Sequence, residues 1–508
     1  MKNARFTLTL VFILILFVPV GPAAHNDTAE KAQPQLLQFA ARNPDQTVAV
    51  IVQKLGEADQ AETAVATLGG RVTRSLSIIN AFGAEMTAQA AIELSRLEAV
   101  RWVSLDARVN SSACTQCIDI SKLGSAYIQT IQADKAWNKS PYLQGKNIGI
   151  AIVDSGINPN GDLYTNMGVN RQVADIRFNT DYNQSTFDGY GHGTHVSSVA
   201  AGDGSDSNGK YIGVAPMANI INVKVTNDDG SATSSDVIAG LQWILENKST
   251  YNIRVVNISF NSSEPESYHT SPLDAAVEIL WFNKIVVVVS AGNQANGVLY
   301  PPANDPFVIT VGAADDKGTT SMSDDVVASF SAYGTTSDGV VKPDLVAPGR
   351  NITARLVNIN MGMPQDHPEN VIAQTYFKMS GTSVSAPMVS GAVAILLQSE
   401  PSLTPDQVKY RLKATANKSW RGYNSTKAGS GYLDVYAAVT NRTTASANTY
   451  TLPSQLLTTG TQPITWGSSG WNSVGWNTVG WNTVGWNTVG WNTVGWNTVG
   501  WNTDYWDQ

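Results

Sequence analysis

The chain has 508 residues, 43% of them hydrophobic, and carries a formal net charge of −8 at pH 7. This length exceeds one ordinary domain, so three or four units are expected, and the apolar content is ample for a buried core. The mild negative charge and the lack of a Lys/Arg run exclude the signature of a nucleic-acid-binding protein, so no nucleic-acid partner is expected.

The first 24 residues have the layout of a secretory signal. Lys2 and Arg5 precede an apolar run at residues 6–20, and small residues follow at 21–24. A charged start, an apolar centre and a small-residue end are typical of a cleaved signal peptide. An uncleaved membrane anchor is the weaker alternative, because the apolar run at residues 6–20 is shorter than the ~20 residues that a spanning helix needs. No later segment is predicted to span a membrane, so the sequence predicts a secreted, extracellular protein.

Residues 25–112 are predicted to form a small α+β unit. Its β-rich runs and helical patterns follow the order strand, helix, strand, strand, helix, strand, at 47–52, 57–68, 71–79, 81–86, 87–97 and 100–105. Thr87 is the predicted cap of the second helix. This order indicates a ferredoxin-like sandwich, and the alternative is an unrelated α+β domain.

Two cysteines follow this unit. Cys114 and Cys117 are the only ones in the chain. A CxxC pair is compatible with a redox motif, half of a zinc site or a local disulfide. Because there is no thioredoxin-like context and no second pair, a loop disulfide or two free thiols are favoured.

Residues 113–441 are predicted to form an α/β domain. Short apolar runs alternate with helical patterns; the runs are at 147–153, 220–225, 254–259, 285–290 and 308–311, and the clearest helices at 236–246 and 272–282. Ser234 or Ser235 is the expected cap of the first of these helices. Such alternation indicates a parallel sheet covered by helices on both faces. Active sites gather at the carboxyl ends of such strands, where Asp154 is predicted to lie.

Three glycine-containing motifs carry the predicted chemistry. Asp154 lies in IVDSG, His192 in GHGTH and Ser383 in GTSVSAP. A serine needs a base to accept its proton, and an imidazole needs a carboxylate to fix its tautomer, so the three residues predict nucleophilic acyl transfer. A helix beginning at or near Ser383 would place a backbone N–H beside the oxyanion. Pro387 is expected in the first turn of that helix.

These motifs, together with Asn293 in the sequence SAGN, resemble those of the subtilisin-like serine proteases, the subtilases. The resemblance implies a subtilisin-like parallel-sheet fold and a serine endopeptidase with protein or peptide substrates. It assigns Asp154, His192 and Ser383 to the catalytic triad and Asn293 to the oxyanion hole. It also makes the preceding α+β unit an inhibitory propeptide that the enzyme removes itself.

The resemblance further implies two substrate-binding segments. One comprises Ser231, Ala232 and Thr233, and the other Ser259, Phe260 and Asn261. An extended peptide would add as a strand between them. The family usually has Leu-Gly where this chain has Phe260-Asn261, and Phe260 is expected to line the cleft and favour apolar substrates.

Metal binding is not required for the predicted chemistry. His192 and His195 could be read as metal ligands, but the Glu of an HExxH motif and a third ligand are missing. In the resemblance the second histidine of the motif is a buried packing residue. The loop at 202–210 has oxygen donors suited to structural calcium but lacks the family's loop pattern. Calcium is left open, and no ligands are assigned.

The end of the chain is repetitive. Residues 442–465 are predicted to be a linker, and residues 466–508 repeat Gly-Trp-Asn-Thr-Val, with Trp at 466, 471, 476, 481, 486, 491, 496, 501 and 506. The fold of this tail is unknown. An array of indoles predicts glycan or cell-surface contact, and the alternatives are a disordered or trimmed tail. Two other functions remain open for the whole chain, a surface-binding protein with the protease as cargo and an inactive scaffold.

Overall fold

The structure is a computed structural model that describes residues 31–107, 117–164, 168–179, 185–295, 297–356, 358–360, 362–459, 462–463 and 498–499. The chain divides into two compact units, Met1–Cys114 and Thr115–Gln508. The predicted signal peptide lies outside the described residues, as does all of the Trp-rich tail except Thr498 and Val499. Cys117 is disulfide-bonded, whereas Cys114 is outside the described part.

The first unit is a four-stranded antiparallel sheet with helices. Its elements are α1 (Pro34–Arg42), β1 (Thr47–Lys54), α2 (Gln60–Thr67), β2 (Arg71–Leu76), β3 (Ala81–Thr87), α3 (Ala88–Ser95) and β4 (Val100–Leu105). The strand order is β2-β3-β1-β4. From β1 onward the elements follow the predicted order, and Thr87 caps α3 by accepting a hydrogen bond from the backbone N–H of Ala90. Helix α1 was not predicted.

The second unit has a mostly parallel central sheet. Its strands are β5 (Gly149–Asp154), β6 (Gln172–Arg177), β7 (Asn219–Lys224), β8 (Ala232–Thr233), β9 (Ile253–Ile258), β10 (Val286–Ser290), β11 (Ile309–Asp315), β12 (Val326–Val327), β13 (Gly334–Thr335), β14 (Val341–Lys342), β15 (Leu345–Pro348), β16 (Ile352–Arg355), β17 (Val371–Ile372), β18 (Tyr376–Met379), β19 (Thr458–Thr459), β20 (Gln462–Pro463) and β21 (Thr498–Val499). The central order is β12-β11-β10-β9-β5-β7-β6, and β15 pairs with β11. Every residue of β5 and β10 is buried, because a sheet covered on both faces has no solvent side.

The helices of the second unit cover this sheet. They are α4 (Tyr127–Thr130), α5 (Ala133–Asn138), α6 (His192–Ala201), α7 (Ser234–Asn247), α8 (Pro272–Phe282), α9 (Gly362–Asp366), α10 (Thr382–Ser399), α11 (Pro405–Thr415), α12 (Ser425–Ala428) and α13 (Val435–Thr440). Within the described residues, only α10 is long and apolar enough to span a membrane by length and composition, and 89% of it is buried inside the protein. It is therefore a core helix by its packing.

The predicted cap of α7 is wrong. The cap is Thr233, whose hydroxyl accepts a hydrogen bond from the N–H of Asp236 while the Asp236 side chain faces the Thr233 N–H. This reciprocal capping box satisfies two backbone donors at once. Ser234 and Ser235 are the first two residues of α7, so neither can be its N-terminal cap.

The predicted linker also differs from the structure over its described part. Residues 442–457, here called the C-terminal strap, lie along the second unit. The Ser454 N–H donates to both carboxylate oxygens of Glu278, at 3.0 and 2.8 Å. Tyr268 donates its hydroxyl to the Leu452 carbonyl at 2.9 Å. The polar composition predicted a linker. Instead, the buried side chains of Glu278 and Tyr268 bind the backbone of Ser454 and Leu452 and hold this segment on the second unit.

Candidate active site

Asp154 and His192 meet at the carboxyl end of the central sheet. Asp154 is the last residue of β5, and His192 is the first residue of α6. The His192 Nδ1 lies 2.9 Å from one Asp154 oxygen and 3.0 Å from the other. Both side chains are buried. The carboxylate therefore fixes the imidazole orientation and favours the tautomer that carries its proton on Nδ1.

A second buried carboxylate, missed by the sequence analysis, holds the start of α6. Asp188 accepts hydrogen bonds from the N–H groups of Gly191, at 2.6 Å, and Thr194, at 2.8 Å. The Ser155 hydroxyl lies 2.8 Å from Asp188 and 3.1 Å from Asp154. Burial raises the pKa of Asp188, and its backbone hydrogen bonds oppose that shift. An aspartate shortly before the GHGTH motif was the available signal, because helix N-termini attract carboxylates.

His195 is buried on the same helix. Its Nε2 lies 3.1 Å from the carbonyl oxygens of both Ile352 and Phe377, which belong to β16 and β18. Burial, followed by the proximity of His192, lowers the pKa of His195 to about 3. A neutral histidine bound to two carbonyls ties α6 to this small sheet, so the structure places His195 in a packing position.

Asn293 contacts the first residue of α10, next to Ser383. Ser383 is the second residue of this helix and is fully buried. The Asn293 Oδ1 accepts hydrogen bonds from the backbone N–H and the hydroxyl of Thr382, both at 2.9 Å. Among the described residues, the buried Asn293 Nδ2 has no hydrogen-bond partner. A donor beside a helix N-terminus suits an anionic oxygen.

The carbonyl of Ser383 has an unusual donor. Pro387 was predicted in the first turn of α10 but lies in the second. Its ring has no N–H to donate to the carbonyl four residues earlier. That carbonyl belongs to Ser383, and it accepts a hydrogen bond of 2.8 Å from the Ser259 hydroxyl. The Asn257 Nδ2 donates to the Ser259 oxygen at 2.8 Å, so the donor is itself held in place.

The two predicted substrate-binding segments differ in their structure. Ala232 and Thr233 form the short strand β8, outside the central sheet. In the other segment, Phe260 is only 1% exposed and belongs to the main hydrophobic core. Its expected place on the cleft wall is therefore wrong, because the ring is used in packing. The Asn261 Nδ2 donates to the Ser290 carbonyl at 3.0 Å.

The carboxylates in the loop at 202–210 contact other groups of the protein. One Asp206 oxygen accepts from the Gly161 N–H at 2.9 Å and pairs with Arg355 at 2.9 Å. The Asp203 Oδ1 accepts from the Ser205 N–H. One oxygen of each carboxylate thus has a donor from the protein, and no group of three or more His, Cys, Asp or Glu suited to a metal occurs in the described residues.

Comparison with known proteins identifies the family. The family model described as the subtilase family matches residues 145–434, which contain the triad candidates and Asn293. The chain belongs to the subtilase family. It is a subtilisin-like serine endopeptidase, and its substrates are proteins or peptides.

Several curated subtilases are similar to this chain. Serine protease AprX of Bacillus subtilis (strain 168) is 39% identical over 306 residues, covering 58% of this chain and 67% of AprX. Subtilisin Savinase of Lederbergia lenta is 32% identical over 312 residues, covering 61% and 97% respectively. Subtilisin NAT of Bacillus subtilis subsp. natto is 28% identical over 442 residues, covering 85% and 97%.

Proposed function

We propose that this subtilase is a secreted endopeptidase, made as a precursor, that cleaves peptide bonds through Asp154, His192 and Ser383. The observation that carries the proposal is the pair of contacts, at 2.9 and 3.0 Å, between the His192 Nδ1 and the Asp154 carboxylate. A histidine that carries its proton on Nδ1 has its basic lone pair on Nε2, and an inactive scaffold would have no need to fix that tautomer.

The chemistry follows from these roles. His192 takes the proton of the Ser383 hydroxyl as its oxygen attacks the substrate carbonyl, and Asp154 stabilises the imidazolium that forms. The Asn293 Nδ2 and the Ser383 N–H donate to the oxyanion. Collapse of this intermediate breaks the C–N bond, and His192 protonates the leaving amine. Water, deprotonated by His192, then attacks the acyl-enzyme. Collapse of the second intermediate releases the acid, and His192 returns the proton to the Ser383 oxygen.

The test is substitution of the nucleophile. Ser383→Ala should remove nearly all peptidase activity, because triad members act as a unit, and a fluorophosphonate should label only the parent enzyme. Ser399→Ala, at the last residue of the same helix, is the matched control and should retain activity and labelling. Full activity in Ser383→Ala would overturn the proposal. Inactivity of the parent itself would favour an inactive scaffold.

The first unit is proposed to be an inhibitory propeptide. Supporting this are its βαββαβ order, its position directly before the catalytic unit, and an alignment with subtilisin NAT that, at 442 residues, is longer than the second unit. The Ser383→Ala protein should then accumulate with residues 25–112 attached, whereas the parent loses them. The isolated unit should inhibit the mature enzyme. Equal processing of both proteins in a protease-free host would contradict self-cleavage.

Secretion is proposed from the layout of the first 24 residues, which lie outside the described part of the structure. N-terminal sequencing of the protein recovered from the medium should show that they have been removed. Retention of the whole precursor inside the cells would contradict this.

Surface retention through the tail is the second candidate function, with the protease as cargo. It is supported by nine tryptophans on a five-residue period, because flat aromatic faces suit stacking on sugar rings. Replacing these tryptophans by Ala should reduce recovery on insoluble polysaccharide or whole cells and leave peptidase activity intact. Equal recovery of both proteins would rule out a role for the indoles.

A further inference from the structure

We propose that the tail of this chain docks as a β-strand on β8 and there competes with substrate. The observation is the pairing of Thr498–Val499 with Ala232–Thr233, antiparallel, with Thr498 opposite Thr233 and Val499 opposite Ala232. Among the described strands, β21 is the one partner of β8. The competition rests on the substrate-binding role that the resemblance to subtilases implies for residues 231–233, whereas the docking itself does not.

Strand β8 is a preformed edge. Before it, the Ser231 N–H donates to the Asp229 carboxylate at 2.8 Å, and the Ser231 carbonyl accepts from the Asn227 N–H at 2.7 Å. After it, Thr233 closes the capping box of α7. The Ala232 side chain is buried in the main core. The strand is thus fixed at both ends, and a segment that pairs with it orders only itself, which lowers the entropic cost of binding.

The tail offers this edge the same segment several times. The dipeptide Thr-Val occurs in five successive identical repeats, at 478–479, 483–484, 488–489, 493–494 and 498–499. Both residue types favour strands. Because the repeats share their sequence, each can replace another on β8. Tethering to the catalytic unit gives them an effective concentration on the order of millimolar.

Substrate and tail would then use one backbone edge. A peptide that adds to a sheet edge gains most of its affinity from main-chain hydrogen bonds, and β8 can bind only one strand on that edge. A docked repeat therefore reduces the fraction of enzyme able to bind substrate. The apparent KM equals the intrinsic KM divided by that fraction, and kcat does not change. If repeats occupy β8 more than half of the time, removing the docking should lower KM at least about twofold.

The experiment replaces the five repeat threonines by proline in the full chain, as T478P, T483P, T488P, T493P and T498P. Proline removes a backbone donor and is excluded from paired strand positions, while every tryptophan is kept. The control is Thr498→Pro alone, whose four remaining repeats can still dock. We expect a lower KM for a peptide substrate and an unchanged kcat in the five-proline variant, and parent values in the control.

A second measurement does not depend on activity. In the Ser383→Ala background, hydrogen–deuterium exchange of the peptide that contains β8 should be faster with the five prolines than without them. Equal exchange would overturn the docking, whatever the kinetics. Slower exchange in the parent together with equal KM values would overturn the competition. If no protein were active, the proposed peptidase function would fail, and the exchange result would still decide whether the tail docks.

Discussion

The hydroxyl of Ser259 donates a 2.8 Å hydrogen bond to the carbonyl oxygen of Ser383, the acceptor that Pro387 leaves without its helical donor. The bond continues a buried polar chain, because Asn257 donates to the Ser259 oxygen and accepts from the Ser390 hydroxyl, at 2.8 and 2.9 Å. The first turn of the nucleophile helix is therefore held by a neighbouring strand end as well as by its own backbone.

We expect Ser259→Ala to lower kcat. An unsatisfied buried carbonyl costs ~1–3 kcal/mol, and relaxation of the turn would move the Ser383 hydroxyl away from its reacting position. A loss of kcat of about tenfold corresponds to ~1.4 kcal/mol. Steady-state kinetics on a short peptide should show this loss with little change in KM. Ser259→Thr keeps the donor and should recover most of the activity; equal kcat values in the parent and Ser259→Ala would contradict the positioning role.

Substitutions can separate the roles of the Oδ1 acceptor and the Nδ2 donor of Asn293. Asn293→Asp retains an oxygen for Thr382 but removes the Nδ2 donor, so the protein should stay folded and lose kcat by at least about 10²-fold. The loss measured for the corresponding donor of subtilisin is about 10²–10³. Asn293→Ala should lose the same activity and, because the Thr382 N–H loses its acceptor, also some thermal stability. Normal turnover in Asn293→Asp would exclude the amide from the oxyanion hole.

The motifs predicted the parts of the site that depend on residue identity. The position of Asp154 at a strand end follows from a local apolar run, and the structure has it as the last residue of β5. The predicted position of Pro387 in its helix and the predicted cap at Ser234 or Ser235 were wrong, because helix boundaries inferred from sequence are uncertain by one or two residues. Asp188 and the burial of Phe260 depend on tertiary contacts that no local pattern encodes.

Asp344 should be central to stability. Its fully buried carboxylate lies 2.9 Å from Lys342, 3.3 Å from Lys409 and 2.8 Å from Lys413. Burial alone would raise the pKa of Asp344, but the three ammonium groups hold it well below its usual range. Asp344→Asn leaves buried cations without a counter-charge, so we expect a loss of ~3–5 kcal/mol in the free energy of unfolding.

Urea denaturation in the Ser383→Ala background, which prevents self-digestion, would measure this loss. The control is Lys413→Gln, because Lys413 is 37% exposed and a partly solvated ion pair contributes at most about 1 kcal/mol. A loss below about 1 kcal/mol in Asp344→Asn, which keeps the size of the side chain, would contradict the role of its buried charge.

Stability should fall as the pH rises from about 4 to about 7. Burial, together with the nearby carboxylates of Asp316, Asp324 and Asp315, raises the pKa of Asp325 to about 7, against an opposing contact with Tyr432. The unfolded pKa is about 3.9, so the folded state binds the additional proton, and its advantage is lost as pH rises through the folded pKa.

Melting temperatures across this pH range would test the Asp325 effect in the Ser383→Ala protein. Asp325→Asn should flatten the decline, because an amide does not titrate. Asp324→Asn, at an exposed neighbouring position, should retain most of it. An unchanged slope in Asp325→Asn would assign the decline to other groups.

The C-terminal strap determines where this chain can be divided. A protein cut at residue 441 would lose Ser454, and the buried Glu278 carboxylate would then lack the backbone N–H that donates to both of its oxygens. Such a cut would remove contacts of the catalytic unit as well as the tail, and a loss of activity would be attributed wrongly to the tail. A cut after Leu457, which is itself buried, keeps the enzyme whole and removes only the repeats and the few residues before them.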